Sequence, residues 1–186
     1  MKLFKKIIIC IIFSCIIFSS VTGFALSCES KYFKINVADS LDLYEILVRL
    51  NIKSYLHVDA AKKVIDSSLT GILKENIDAL YLEVSDCLDI HVYSFQINLE
   101  IVPDNETLIE RIGPFAEDLI NPGSYYSEQK NTIYISFKAL GVSALAHETA
   151  EAIISHYFLI PPPEKFRKIL AGYVESTVNR IDNTSR

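Results

Sequence analysis

The 186-residue chain has no tryptophan, one methionine, six glycines and six prolines. The glycines stand singly, so no Gly-rich loop can cradle a phosphate and no nucleotide site is expected. No G-x-S-x-G turn occurs, which argues against a serine hydrolase of that type. Cysteine is scarce. Cys10, Cys15, Cys28 and Cys87 show neither C-x-x-C spacing nor a Cys/His cluster, so a cysteine-held zinc site is out. Positive charge is also short, with 18 Lys and Arg against 23 Asp and Glu, a net −5. An acidic surface repels phosphate backbones, and nucleic acid is not an expected partner. Few Gly and Pro residues argue against a disordered or fibrous class.

What is present is apolar. Half the residues are hydrophobic and 11% are aromatic, enough for a substantial core. Lys2, Lys5 and Lys6 precede an uncharged run from Ile7 to Phe18, and small residues follow at Gly23 and Ala25. This is the layout of a secretory signal peptide, with cleavage after Ala25 or, as a second choice, after Ser27. The rival reading is an uncleaved anchor over residues 7–26. Residues 1–25 are thus read as a signal and 26–186 as one domain of an exported protein. Removing the signal leaves 15 basic residues against 23 acidic ones, a net −8. In an exported chain Cys28 and Cys87 are either a disulfide or two free thiols.

Residues 26–94 read as mostly helical. Asp39 or Ser40 is positioned to cap a helix over Leu41–Leu50, and a longer helix is expected over Asp59–Val84. The period then changes. Phe95 to Ile101 alternates apolar and polar, which predicts a strand. Asn105 can cap a short helix through Leu108–Ile112. Tyr125-Tyr126 and the β-branched Thr132–Ser136 predict a hairpin. Helices are expected over Val142–Phe158 and Glu164–Ile181, separated by Pro161, Pro162 and Pro163. The order predicts an α+β fold.

The chemistry concentrates in Ala146-His147-Glu148-Thr149-Ala150-Glu151. Residues four apart on a helix lie one above the other, so His147 and Glu151 can grip one ion. No Lys or Arg occurs between Gly141 and Pro161, and the helix is apolar almost all round. Such a helix is buried, and its two carboxylates and histidine then need a cation, a proton or strong donors. A divalent metal is one answer; Arg167, Lys168 or a raised carboxylate pKa is another. Glu175 on the next helix is the third acidic candidate. The helical wheel puts Phe166, Ile169, Leu170 and Tyr173 on the apolar side and Glu175 opposite, on what reads as a solvated face. Ala171, Gly172 and Val178 flank it, small enough for close helix contact. His156 falls half a turn from His147 and reads as a capping or supporting residue. His57 and His91 carry no motif.

Three stretches together resemble the gluzincins, metallopeptidases of the thermolysin-type zincin fold. They are Tyr125-Tyr126 with Asn131–Ser136, Leu145–Ile153, and Leu170-Ala171-Gly172-Tyr173-Val174-Glu175. The resemblance implies a zincin-like core over 95–186, with an outer strand at Thr132–Ser136 that borders the cleft and pairs with an extended peptide. It implies His147 and Glu175 as metal ligands and Glu148 as the general base that activates a metal-bound water. Glu151 stands where the family has a second histidine. A carboxylate can bind zinc, but one His with two Glu holds zinc less selectively and suits a harder ion such as manganese. The expected activity is peptide-bond hydrolysis on a peptide or protein substrate. The alternative is a metal-free pseudopeptidase that binds peptides or proteins.

Overall fold

Phe33, Ile35 and Val37 alternate with Lys34 and Asn36, and this two-residue period folds as a strand. The computed structural model describes residues 24–50, 67–113 and 123–184. Residues 1–23 of the expected signal (1–25) or anchor (7–26), the start of the expected 59–84 helix and His57 lie outside the described residues. Among the described residues no helix is long and apolar enough to cross a membrane.

The part expected to be mostly helical opens on two strands, β1 (Phe24–Glu29) and β2 (Phe33–Ala38), paired antiparallel. The expected cleavage after Ala25 falls at the second residue of β1. Two helices follow, α1 (Leu43–Arg49) and α2 (Leu69–Leu88). Asp42, not Asp39 or Ser40, caps α1 by accepting from the Tyr44 amide. The long helix does not run unbroken to Val84 from the Asp59 side, because Ser68 caps α2 and receives a hydrogen bond from Gly71 N–H at 3.1 Å. A serine before an apolar run favours starting a helix over continuing one.

The next elements are β3 (Ile97–Val102), α3 (Asn105–Ile112), β4 (Ser124–Ser127), β5 (Thr132–Ser136), α4 (Val142–Tyr157) and α5 (Glu164–Thr184). Asp104 rather than Asn105 caps α3 through Thr107 N–H. Asn131 has φ 47° and supplies the left-handed residue of the β4–β5 turn, where the sequence has no glycine. The described residues thus form an α+β arrangement of five helices on a single five-stranded sheet.

The sheet order is β1-β2-β3-β5-β4. The inner pairs β2–β3 and β3–β5 are parallel, and both outer pairs are antiparallel. A parallel pair needs a crossover, which the α1–α2 region provides between β2 and β3. Register aligns the apolar rows. Ile35, Leu99 and Ile133 stand side by side, as do Val37, Ile101 and Ile135. These rows form one buried core with Ile46 of α1, Leu73, Ile77 and Leu80 of α2, and Leu145 and Ile153 of α4. A smaller cluster of Val102, Leu108, Ile112 and Tyr134 sits under α3. Asp78 of α2 ties down the β1–β2 turn, accepting from Ser30 Oγ at 2.7 Å, Lys31 N at 3.0 Å and Tyr32 N at 3.1 Å.

The edge of the sheet differs from the expectation. Thr132–Ser136 is an inner strand, covered by β4 on its outer side. The strand at the edge beside the motif helix is β4.

Candidate functional site

Helix α4 is as buried as its composition requires, and α5 lies along it. Ala146, Ala150 and Ala152 are fully buried on α4, and Ala171, Val174 and Val178 on α5. Small side chains on α4 allow the two helices to approach closely. Gly172 is not part of that contact, since a Cβ there would meet nothing within 4 Å.

This approach brings three of the expected residues together. His147 Nδ1 lies 2.8 Å from Glu175 Oε2, within hydrogen-bond reach. His147 Nε2 lies 3.6 Å from Glu151 Oε1. Glu148 is 7% exposed and accepts from Ser124 Oγ at 2.7 Å. The Tyr126 backbone N–H, on the same strand, also lowers the Glu148 pKa. Glu148 therefore holds the edge strand β4 rather than the other motif residues. Gly123 sets the start of β4. Its carbonyl accepts from both Ser136 N and Ser136 Oγ, and it packs where a Cβ would lie 2.5 Å from that of Ala139.

The imidazole is thus held between two carboxylates on opposite ring edges. Glu151, facing Nε2, is the largest cause that raises the His147 pKa to about 9; burial opposes it, and Glu148 and Glu175 add to the rise. Burial pushes Glu148 up to about 7, against the lowering effect of the Ser124 hydroxyl. A carboxyl near 7 is suited to giving and taking protons at neutral pH.

The contact between Nε2 and Glu151 decides what the site can hold. At 3.6 Å it is too long for a hydrogen bond. It is close to the roughly 3.4 Å that separates two ligand atoms on a tetrahedral ion with bonds of about 2.1 Å. With the Nδ1 proton donated to Glu175, Nε2 faces a carboxylate, an arrangement relieved either by a proton on Nε2 or by a metal ion between the two. His147 and Glu151 therefore fit two points of a metal site. Glu175 is not beside them in this placement. It reaches the far nitrogen, where a carboxylate fixes the tautomer and orientation of a ligating imidazole. Among the described residues no group of three or more His, Cys, Asp or Glu side chains is arranged to hold an ion.

A cleft of about 580 Å³ opens over this constellation. One wall is β4 with Tyr125 and Tyr126, the floor is His147, Glu148 and Glu151, and the other wall is the start of α5. Arg167 does not neutralise the buried carboxylates; it pairs with Glu128 at 2.9 Å and so ties α5 to the β4–β5 turn. Lys168 pairs with Glu164. Burial raises the Glu148 pKa, which is one of the answers the sequence offered. Ser124 and Tyr126 are the site residues that sequence reasoning missed. Nothing in a short Ser-Tyr-Tyr strand marks its hydroxyl or amide as a carboxylate partner.

The remaining candidates lie elsewhere. His156 stacks face to face on Phe95, with centroids 3.8 Å apart. His91 stacks on Tyr93 near Asp86 and Asp89. Cys28 and Cys87 are unpaired thiols, each pushed up in pKa by burial. Comparison with known proteins finds no family model, no curated protein and no solved structure that matches this chain.

Proposed function

We propose that this chain is an exported, zincin-like metallopeptidase-type protein whose cleft receives an extended peptide beside β4. The reading rests on one juxtaposition. A His–Glu pair spaced for an ion and a buried carboxyl with pKa about 7 share one cleft under a sheet edge. His147 and Glu151 would hold the ion, with zinc or, given the oxygen-rich donors, manganese as the candidates. A bound ion supplies an acidified water and polarises a carbonyl. Glu175 keeps the Nδ1 proton in place and presents Nε2. Glu148 moves the proton. The outer edge of β4 orients the peptide by backbone pairing.

The metal-free binding module is the second reading. It is favoured by the absence of a three-ligand cluster among the described residues and by an imidazolium that satisfies both Glu151 and Glu175 without an ion. Elemental mass spectrometry after incubation with zinc and manganese separates the two. Near-stoichiometric metal, lost in His147→Ala, supports the metallopeptidase reading. Absence of metal in both proteins rejects it. Under the first reading Glu148→Gln abolishes peptide cleavage while leaving peptide binding in place. The export half of the proposal rests on the N-terminal layout, and a mature N-terminus at Leu26 or Cys28 is its test.

A further inference from the structure

The wheel of α5 is turned relative to its composition. Phe166, Ile169, Leu170 and Tyr173 recur at three and four residues, the spacing of a core-facing stripe. In the structure all four are exposed, and the core side is filled by Ala171, Val174 and Val178. The turn just before α5 is apolar as well. Tyr157 and Phe158 are exposed, Ile160 is 83% exposed, and Leu159 is fully exposed.

With side chains of this size presenting on the order of 200 Å² each, these eight residues expose roughly 1,000 Å² of mainly apolar surface. The largest apolar patch on an ordinary monomer is about 300–600 Å². One partner's share of a standard protein interface is about 800 Å². The exposed area thus matches what a stable pair of chains buries.

We propose that this face is a self-association surface, on which two copies pack α5 against α5 in antiparallel fashion. In that arrangement the 157–160 turn of each copy covers the far end of the partner's stripe. Charge fits a second copy. On a helical wheel Lys165 lies at the margin of the stripe, and Arg180 continues the same face two turns beyond Tyr173. In an antiparallel pair centred between Ile169 and Leu170, Lys165 comes level with Val174 and Arg180 lies beyond the start of the partner's helix, so no like charges of the two helices meet. An anionic lipid surface calls instead for a collar of free cations. Arg167 and Lys168 are ion-paired with Glu128 and Glu164, and the chain is acidic overall. The cleft is left open, because Glu164, Arg167 and Lys168, which line it, lie on the other side of α5 from the stripe.

The test is sedimentation equilibrium on protein purified from expression of the full chain, beside Ile169→Glu and Tyr173→Glu. Both positions are exposed, so circular dichroism and thermal melting should match the parent and keep folding out of the comparison. The parent should sediment as a dimer at micromolar concentration. Each variant should weaken the dimer by at least about 100-fold, because it buries a carboxylate without a partner. A parent that stays monomeric at about 100 μM overturns the proposal. So does a dimer that both variants leave intact. So does a monomer that floats with phosphatidylglycerol vesicles through this face, which would make the partner a lipid surface.

Discussion

His147 should make the stability of the metal-stripped protein depend on pH in a defined window. Its folded pKa is raised from 6.5 to about 9. A group whose folded pKa is raised contributes fully below its unfolded pKa and loses that contribution as pH rises through the folded value. The window is therefore pH 6.5 to about 9. At 1.36 kcal/mol per unit, the loss across it is about 3 kcal/mol. Glu148, raised from 4.5 to about 7, has the same sign in an earlier window, between pH 4.5 and 7. The two steps are separable by substitution. Urea unfolding of the parent and of His147→Gln, both with chelator, should be compared at pH 6 and pH 9.5. The parent should lose about 3 kcal/mol more than the variant over this range. Titrations remote from the site, including those of Cys28 and Cys87, cancel in the difference. Parallel pH profiles would refute the reasoning, since they would mean that no proton is held between Nε2 and Glu151. Added zinc or manganese should reverse the trend. The ion needs neutral imidazole, so its affinity rises with pH over the same window.

Three further substitutions probe the supports of the site and fold. Ser124→Ala removes the hydroxyl bond that lowers the Glu148 pKa, so a carboxyl NMR titration should find Glu148 above 7, with stability lower by about 1–2 kcal/mol near neutral pH. Gly123→Ala drives a Cβ into Ala139 at the root of β4; thermal melting should report a loss of about 1–3 kcal/mol, and peptide binding should weaken with it. Asp78→Ala strips three donors at the β1–β2 turn of their acceptor. Chemical denaturation should show about 2–4 kcal/mol lost, while the His147 step stays in place.

The C-terminal half of the fold was legible because its signals are local. The β3, β4, β5, α4 and α5 segments carry clear periods and are bounded by Asp104, Gly123, Gly141 and the proline run. The β1–β2 pair was not read, although Phe33, Ile35 and Val37 alternate, because the segment is short and leads into a helical pattern. The break before α2 rests on one serine whose capping role shows only in three dimensions. The gluzincin resemblance implies Thr132–Ser136 as the edge strand, whereas the sheet order puts β4 there. Sheet order depends on long-range pairing that no local pattern encodes. The motif placed His147, Glu148 and Glu151 in one cleft, and Glu175 did reach the histidine. Which nitrogen it met was not legible, since that follows from the depth at which α5 seats on α4. The wheel of α5 misled for the same reason: apolar periodicity tells which residues seek cover, not which molecule covers them.

The grip of Glu148 on the edge strand has a consequence for how the cleft would be armed. The carboxylate is bonded to the Ser124 hydroxyl at the root of β4, the strand along which an added peptide would pair. Under the proposed function, a peptide pairing with β4 would press on the strand that holds the base. Displacing the Ser124 hydroxyl would then free Glu148 to take a proton. An empty cleft would keep its base tethered until a chain pairs with the strand.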